Sequence, residues 1–213
     1  MTSYPLLEVF LDNIRHNARA VVDFCAGYGL TAAGVIKFSD GDLRIARAYY
    51  DGGCAQIASS RTAHLRDVKT HIPEATTMLL RLPMLSEVEE VVQYCDISLN
   101  SERETLVALN AQAKQQRRVH QIILLLDVGD LREGVMSPEA LLELAVFTEE
   151  GLDGLHLAGV GSTFTCYGSI LPTRENLTVL LKAARAIENR IGRKLEIVSG
   201  GSSTSLMPLL DGS

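Results

Sequence analysis

Seven short apolar runs, each followed by an amphipathic stretch with a helix-start signal, constrain this chain more than any other feature. They occupy residues 32–36, 55–58, 77–82, 96–99, 121–127, 155–161 and 195–199. A short, nearly continuous apolar run is the pattern of a strand covered on both faces, and parallel strands need a covering crossover helix between neighbours. The helix starts are marked by Ser86 with Glu89 and Ser101 with Glu104, both at capping-box spacing, and by Pro138 and Pro172 at or near first turns. Ahead of these units, Leu6 to Leu11 alternates as a short strand. Asp12 then caps a helix with Ile14, Ala18, Val21 and Cys25 on one face.

Repeated strand–helix units with right-handed crossovers close into a barrel or lie open as a doubly wound sheet. The first strand-to-helix turn reads Lys37-Phe38-Ser39-Asp40-Gly41-Asp42 and lacks the G-x-G-x-x-G of a dinucleotide fold, which favours the α/β reading as a (β/α)8 barrel of the TIM type. With 213 residues, one large domain is expected.

Composition narrows the function classes. Hydrophobic residues make up 46% and charged residues 22%, as in an ordinary globular protein. A formal net charge of -6 without a Lys/Arg block argues against nucleic acid as a partner. No apolar run approaches the ~18 residues of a membrane span, and the N-terminus is not patterned as a secretion signal. Cys25, Cys54, Cys95 and Cys166 form no C-x-x-C pair, which points to reduced thiols and a cytoplasmic protein. Histidines 16, 64, 71, 120 and 156 show no metal-ligand spacing, so no metal site is indicated.

In barrels the active site gathers at the C-terminal ends of the strands. The first run delivers Lys37 directly after Ala-Ala-Gly-Val-Ile. An amine at the mouth of an apolar barrel is desolvated, which lowers its pKa and frees it as a nucleophile; the plain alternative is a lysine that ends a strand and points to water. The seventh run feeds Gly200, Gly201, Ser202, Ser203 and Thr204 ahead of a helix beginning near Leu206. Glycines that admit close approach, hydroxyls and a helix start make a phosphate cup, against the alternative of a flexible Gly/Ser turn. After the fifth run, Arg132 has the fork to grip a carboxylate, or forms a surface salt bridge with Asp130 or Glu133. Arg61 and Arg81 are weaker candidates of the same kind. Cys166 reads as a small, partly buried structural cysteine, since no histidine nearby in sequence activates it.

Taken together, Gly34-Val35-Ile36-Lys37, the segment 79–91, Asp127-Val-Gly-Asp-Leu-Arg-Glu-Gly134, Thr165-Cys-Tyr-Gly168 and the segment 198–206 resemble the alanine/ornithine racemase family of fold-type III pyridoxal-phosphate enzymes, over nearly the whole chain. The resemblance implies a barrel that binds pyridoxal 5'-phosphate, with Lys37 as the Schiff-base lysine acting as acid/base at Cα. It also implies Gly200 to Thr204 as the phosphate cup and Arg132 near the carboxylate of an amino-acid substrate. It further implies a homodimer and a C-terminal β domain, joined by a leading strand such as Leu6 to Leu11 within residues 1–31. Three departures stand out. Thr163 takes the place where many relatives set a histidine against the pyridine ring, Ser202 stands where an asparagine is common, and the chain stops at Ser213 before an eighth strand, as a fragment of a longer polypeptide does. The expected activity is amino-acid racemisation, the substrate being open among alanine, ornithine, lysine, arginine and serine. The alternatives are a non-catalytic pyridoxal-phosphate carrier and a lysine Schiff-base lyase.

Overall fold

The structure, a computed structural model, describes residues 5–168 and 170–212. Among these residues seven strands form, in the order of the chain, and the chain divides into two compact units between Met78 and Leu79.

The first unit contains α1 (Leu11–Ala26), β1 (Ala33–Val35), α2 (Leu43–Asp51), β2 (Gln56–Ser59) and α3 (Thr62–His71), and ends within β3 (Thr77–Leu79). Strands β1 and β2 are parallel with Gly34 opposite Ile57. The core is aliphatic: Ile36, Ile45, Ile57, Val68 and Ile72 are buried together, with Tyr49 and Ile14 packed against them. Asp42 caps α2 by accepting from the Arg44 and Ile45 amides. Its hydrogen bonds with the Arg44 side chain, more than the opposing burial, hold its carboxyl down at about 2.

Two local expectations fail here. The leading strand does not form: residues 6–10 have no ladder partner among the described residues, Leu7 is 87% exposed, and α1 begins at Leu11. Alternating side chains are only half of a strand, because its N–H and C=O groups need a neighbour. Asp12 is not the cap either, since Phe10 holds that position and Asp12 lies in the first turn, paired with Arg15 at 2.8 Å. Residues 1–4 of the expected leading region lie outside the described residues.

The second unit carries α4 (Val88–Tyr94), β4 (Ile97–Asn100), α5 (Arg103–Gln115), β5 (His120–Leu125), α6 (Pro138–Gly151), β6 (Leu155–Gly161), α7 (Arg174–Ile191), β7 (Ile197–Ser199) and α8 (Leu206–Asp211). Strands β4 to β7 are parallel, with one register shift between Ile122 and Ile123 of β5. The run Ile122, Ile123, Leu124, Leu125 and Leu126 is buried, as a strand covered on both faces requires. Helices α5 and α6 pack against β5 and α7 against β6, and Leu106 and Leu109 of α5, Leu141 and Ala145 of α6, and Leu180 and Ile187 of α7 are buried. Ser137 caps α6 ahead of Pro138, and Thr173 with Asn176 forms a capping box on α7. The boxes expected at Ser86/Glu89 and Ser101/Glu104 are absent: α4 and α5 start at Val88 and Arg103, behind Glu87 and Glu102, without a side-chain cap. Ser86 already lies inside a 3-10 turn, Leu85–Glu87, that leads into α4, and Glu102 rather than Ser101 holds the position before α5, so neither serine caps a helix.

A buried polar line crosses the start of this sheet. Asn100 Nδ2 donates to Ser98 O at 3.0 Å and Ser98 Oγ at 2.9 Å, and Ser98 Oγ lies 2.8 Å from His120 Nε2. Burial pushes His120 down from its ordinary 6.5 to about 4. Below the ordinary value the unfolded chain therefore takes up a proton that the folded chain refuses. Stability is full above pH ~6.5 and is lost as pH falls towards 4, by up to about 3 kcal/mol from this group. Urea midpoints at pH 7.5 and 4.5 should fall more in wild type than in His120→Gln; equal falls in both would remove this account.

Candidate active site

Lys37 leaves the first unit's sheet on a tightly wound turn. Directly after β1, Ile36 is fully buried and its carbonyl accepts from Ser39 N, Gly41 N and Ser39 Oγ, at 3.2, 3.2 and 3.0 Å. Lys37 begins the single 3-10 turn that this creates, ahead of two left-handed residues, Asp40 at φ 50 and Gly41 at φ 78. The His64 ring, hydrogen bonded to buried Ser59 at 3.0 Å, lies under Gly41 and reaches Asp40 at 3.4 Å, where Arg61 also pairs at 3.5 Å. The turn is thus braced from α3. Lys37 itself is exposed rather than desolvated, so the chemical argument for it rests on placement after a strand. Arg61 is engaged with Asp40.

In the second unit, the chain beyond β7 forms the other expected feature. Gly201 has φ 92, and a Cβ there would stand 2.7 Å from Ser162 O and 2.6 Å from the Phe164 ring, so only glycine fits. Ser202 Oγ accepts from Thr204 N at 3.2 Å and touches Thr204 Oγ1. Thr165, just past β6, completes the group: its Oγ1 lies 3.0 Å from Ser202 Oγ and 3.2 Å from Thr204 Oγ1. Ser205 Oγ closes the loop by donating to Gly200 O at 2.6 Å. Three hydroxyls here share one another as acceptors, and a phosphate would offer oxygens to all of them. Donors and close backbone approach therefore fit a phosphate group. Ser203 is exposed and takes no part in the hydroxyl cluster.

The β5–α6 loop is closed at its base by Asp127 N to Val135 O and Val135 N to Leu125 O, both 2.9 Å. Asp130, 2% exposed, accepts from Cys166 N at 3.0 Å and Tyr167 N at 3.3 Å, and so ties this loop to the one after β6. Arg132 donates to Cys166 Sγ at 2.8 Å and has Nε 3.6 Å from Glu133 Oε1. Of the two acids expected as its salt-bridge partner, Glu133 fills that role and Asp130 serves backbone amides. Thr163 donates to the same Glu133 oxygen at 3.3 Å. Cys166 is exposed, not partly buried, because Asp130 holds its backbone while the side chain meets Arg132. Arg81 is held by Glu87.

Sequence reasoning assigned no task to Thr165, and it treated Asp130 and Glu133 only as salt-bridge partners. Thr165 left one faint signal, a hydroxyl just beyond an apolar run. Among the described residues no three His, Cys, Asp or Glu side chains are placed to hold a metal ion, and no helix is long and apolar enough to cross a membrane.

The profile of the family described as "Alanine racemase, N-terminal domain" matches residues 9–211. The chain belongs to this family. Among relatives of the alanine racemase N-terminal domain, an ornithine racemase from Acetoanaerobium sticklandii is 37% identical over 95% of this chain and 57% of its own length. A lysine racemase from Thermotoga maritima is 36% identical over 98% of this chain and 58% of its own. The chain thus spans somewhat over half the length of the curated relatives it matches. A solved alanine racemase from Clostridium difficile 630 shares the fold with TM-score 0.77 at 18% identity, over 94% of this chain and 53% of that one. This fold likeness agrees with the α/β architecture of seven parallel strands expected of a truncated barrel.

Proposed function

We propose that this chain is the pyridoxal-phosphate-binding part of an amino-acid racemase acting on basic substrates of the ornithine and lysine kind. The observation that carries the reading is the cluster around Gly201, where Thr165, Ser202 and Thr204 gather hydroxyls beside a backbone position only glycine occupies. The two racemase relatives supply the reaction and the substrate class. Gly200, Gly201, Ser202, Ser203 and Thr204 take the phosphate, and Lys37 is the covalent anchor. Bound pyridoxal phosphate draws electrons away from the substrate's Cα–H bond. Lys37 Nζ would hold or return the proton at Cα on its own face, Arg132 would orient the substrate by its carboxylate, and inversion needs a second acid/base on the opposite face, a part the family resemblance gives to a tyrosine of the partner's C-terminal domain. The full protein acts as a homodimer, and its free cysteines fit the reducing cytoplasm.

The test is to titrate purified protein with pyridoxal phosphate, follow the absorption of the attached cofactor, and record loss of optical rotation from L-ornithine. Binding is expected of this chain, and turnover of the full-length homodimer. Binding without turnover of any amino acid by the full-length protein would indicate a carrier instead, and no binding would sink the reading.

A further inference from the structure

The β5–α6 loop carries three carboxylates and a single arginine, and the carboxylates are not used alike. Asp127 Oδ1 accepts from Gly129 N at 2.6 Å, and Asp130 takes the two amides of Cys166 and Tyr167. Glu133 differs. Its side chain is only 8% exposed, Oε1 meets Thr163 and Arg132, and among the described residues Oε2 accepts no hydrogen bond. Oε2 is not among the buried side-chain atoms that lack a partner, so it still meets solvent, and an approaching cation finds there a carboxylate oxygen that no protein donor occupies. Arg132 is a divided partner, since its Nη1 is turned to Cys166 Sγ and its Nε stands 3.6 Å from Glu133.

We infer that Glu133 is the specificity-determining residue of this site, its unmatched oxygen receiving the distal ammonium of a diamino acid. This rests on the racemase reading above, in which Arg132 takes the α-carboxylate. Adjacent residues of opposite charge on one loop then address opposite charges of one substrate. A neutral amino acid of the same length leaves Glu133 unmatched, so the group that favours the basic substrate also discriminates against the neutral one.

Calorimetric titration of cofactor-loaded protein with L-ornithine and with L-norvaline, which differ by the terminal ammonium, tests this. Wild type should prefer ornithine by about tenfold or more, the effect of one charge-assisted hydrogen bond. In Glu133→Gln the preference should shrink to within about threefold, and Glu133→Asp should retain part of it. Norvaline binding should hold in Glu133→Gln, whereas a disordered loop would weaken both ligands alike. An ornithine preference of the same size in wild type and Glu133→Gln overturns the inference, as does its absence from wild type. Absorption of the attached cofactor, read on the same samples, separates the two readings: a missing band with a Glu133-dependent preference would remove the cofactor role and leave the cation site.

Discussion

Lys37→Ala should abolish covalent attachment of pyridoxal phosphate and lower racemisation by about 10³-fold or more, because one substitution removes both the anchor and the proton-transfer group. The chain contains five lysines. Lys69, Lys114 and Lys182 lie within α3, α5 and α7, and Lys194 follows α7 with its amine on Glu188. Lys114 is likewise paired, with Asp153 at 2.8 Å. Only Lys37 stands just past a strand, with Ile36 alone between it and β1. Its side chain is exposed and the turn is held by backbone bonds to Ile36, so stability should change by no more than about 0.5 kcal/mol. Lys37→Arg serves as the control, since it keeps the charge without a free amine to link. Absorption before and after borohydride reduction reads the linkage, and a reducible adduct persisting in both variants would move the anchor to another lysine.

Gly201→Ala should weaken cofactor binding by about tenfold to a hundredfold and destabilise the fold by roughly 1–3 kcal/mol. The new methyl would meet the Ser162 carbonyl and the Phe164 ring. Neither yields easily: Ser162 N donates to Ser199 O at 3.1 Å, its hydroxyl donates to Leu126 O at 2.9 Å, and Phe164 is 1% exposed. Gly200→Ala is the matched control, because a Cβ there comes no nearer than 3.9 Å, to Leu177. Affinities for pyridoxal phosphate and for pyridoxal separate the phosphate contact from the rest of the site. The cup assignment fails if Gly201→Ala weakens both ligands equally, or if the two glycine variants behave alike.

What could be read from the chain before folding follows a simple physical division. A run such as Ile122 to Leu126 has no soluble alternative to burial on both faces, so the strands were legible, β6 at both of its ends. Pro138 marked a helix start because a first-turn proline acts on its own local backbone, and the structure adds Ser137 as the cap before it. Ser86 and Ser101 misled for the converse reason: a cap acts only at the residue before the helix, and α4 and α5 begin at Val88 and Arg103. The expected strand at residues 6–11 failed because pairing belongs to two segments, and one was read alone.

The candidate site divides in the same way. Lys37 after a strand, and Gly201 with Ser202 and Thr204 ahead of a helix, are local patterns that the sequence by itself determined. Tertiary structure alone decided that Thr165 joins hydroxyls 37 and 39 positions away, that Asp130 serves amides 36 and 37 positions away, and that Glu133 meets Thr163 across 30. A hydrogen bond acts over about 3 Å, and separation along the chain carries no record of such a distance until the strands beneath the loops have packed.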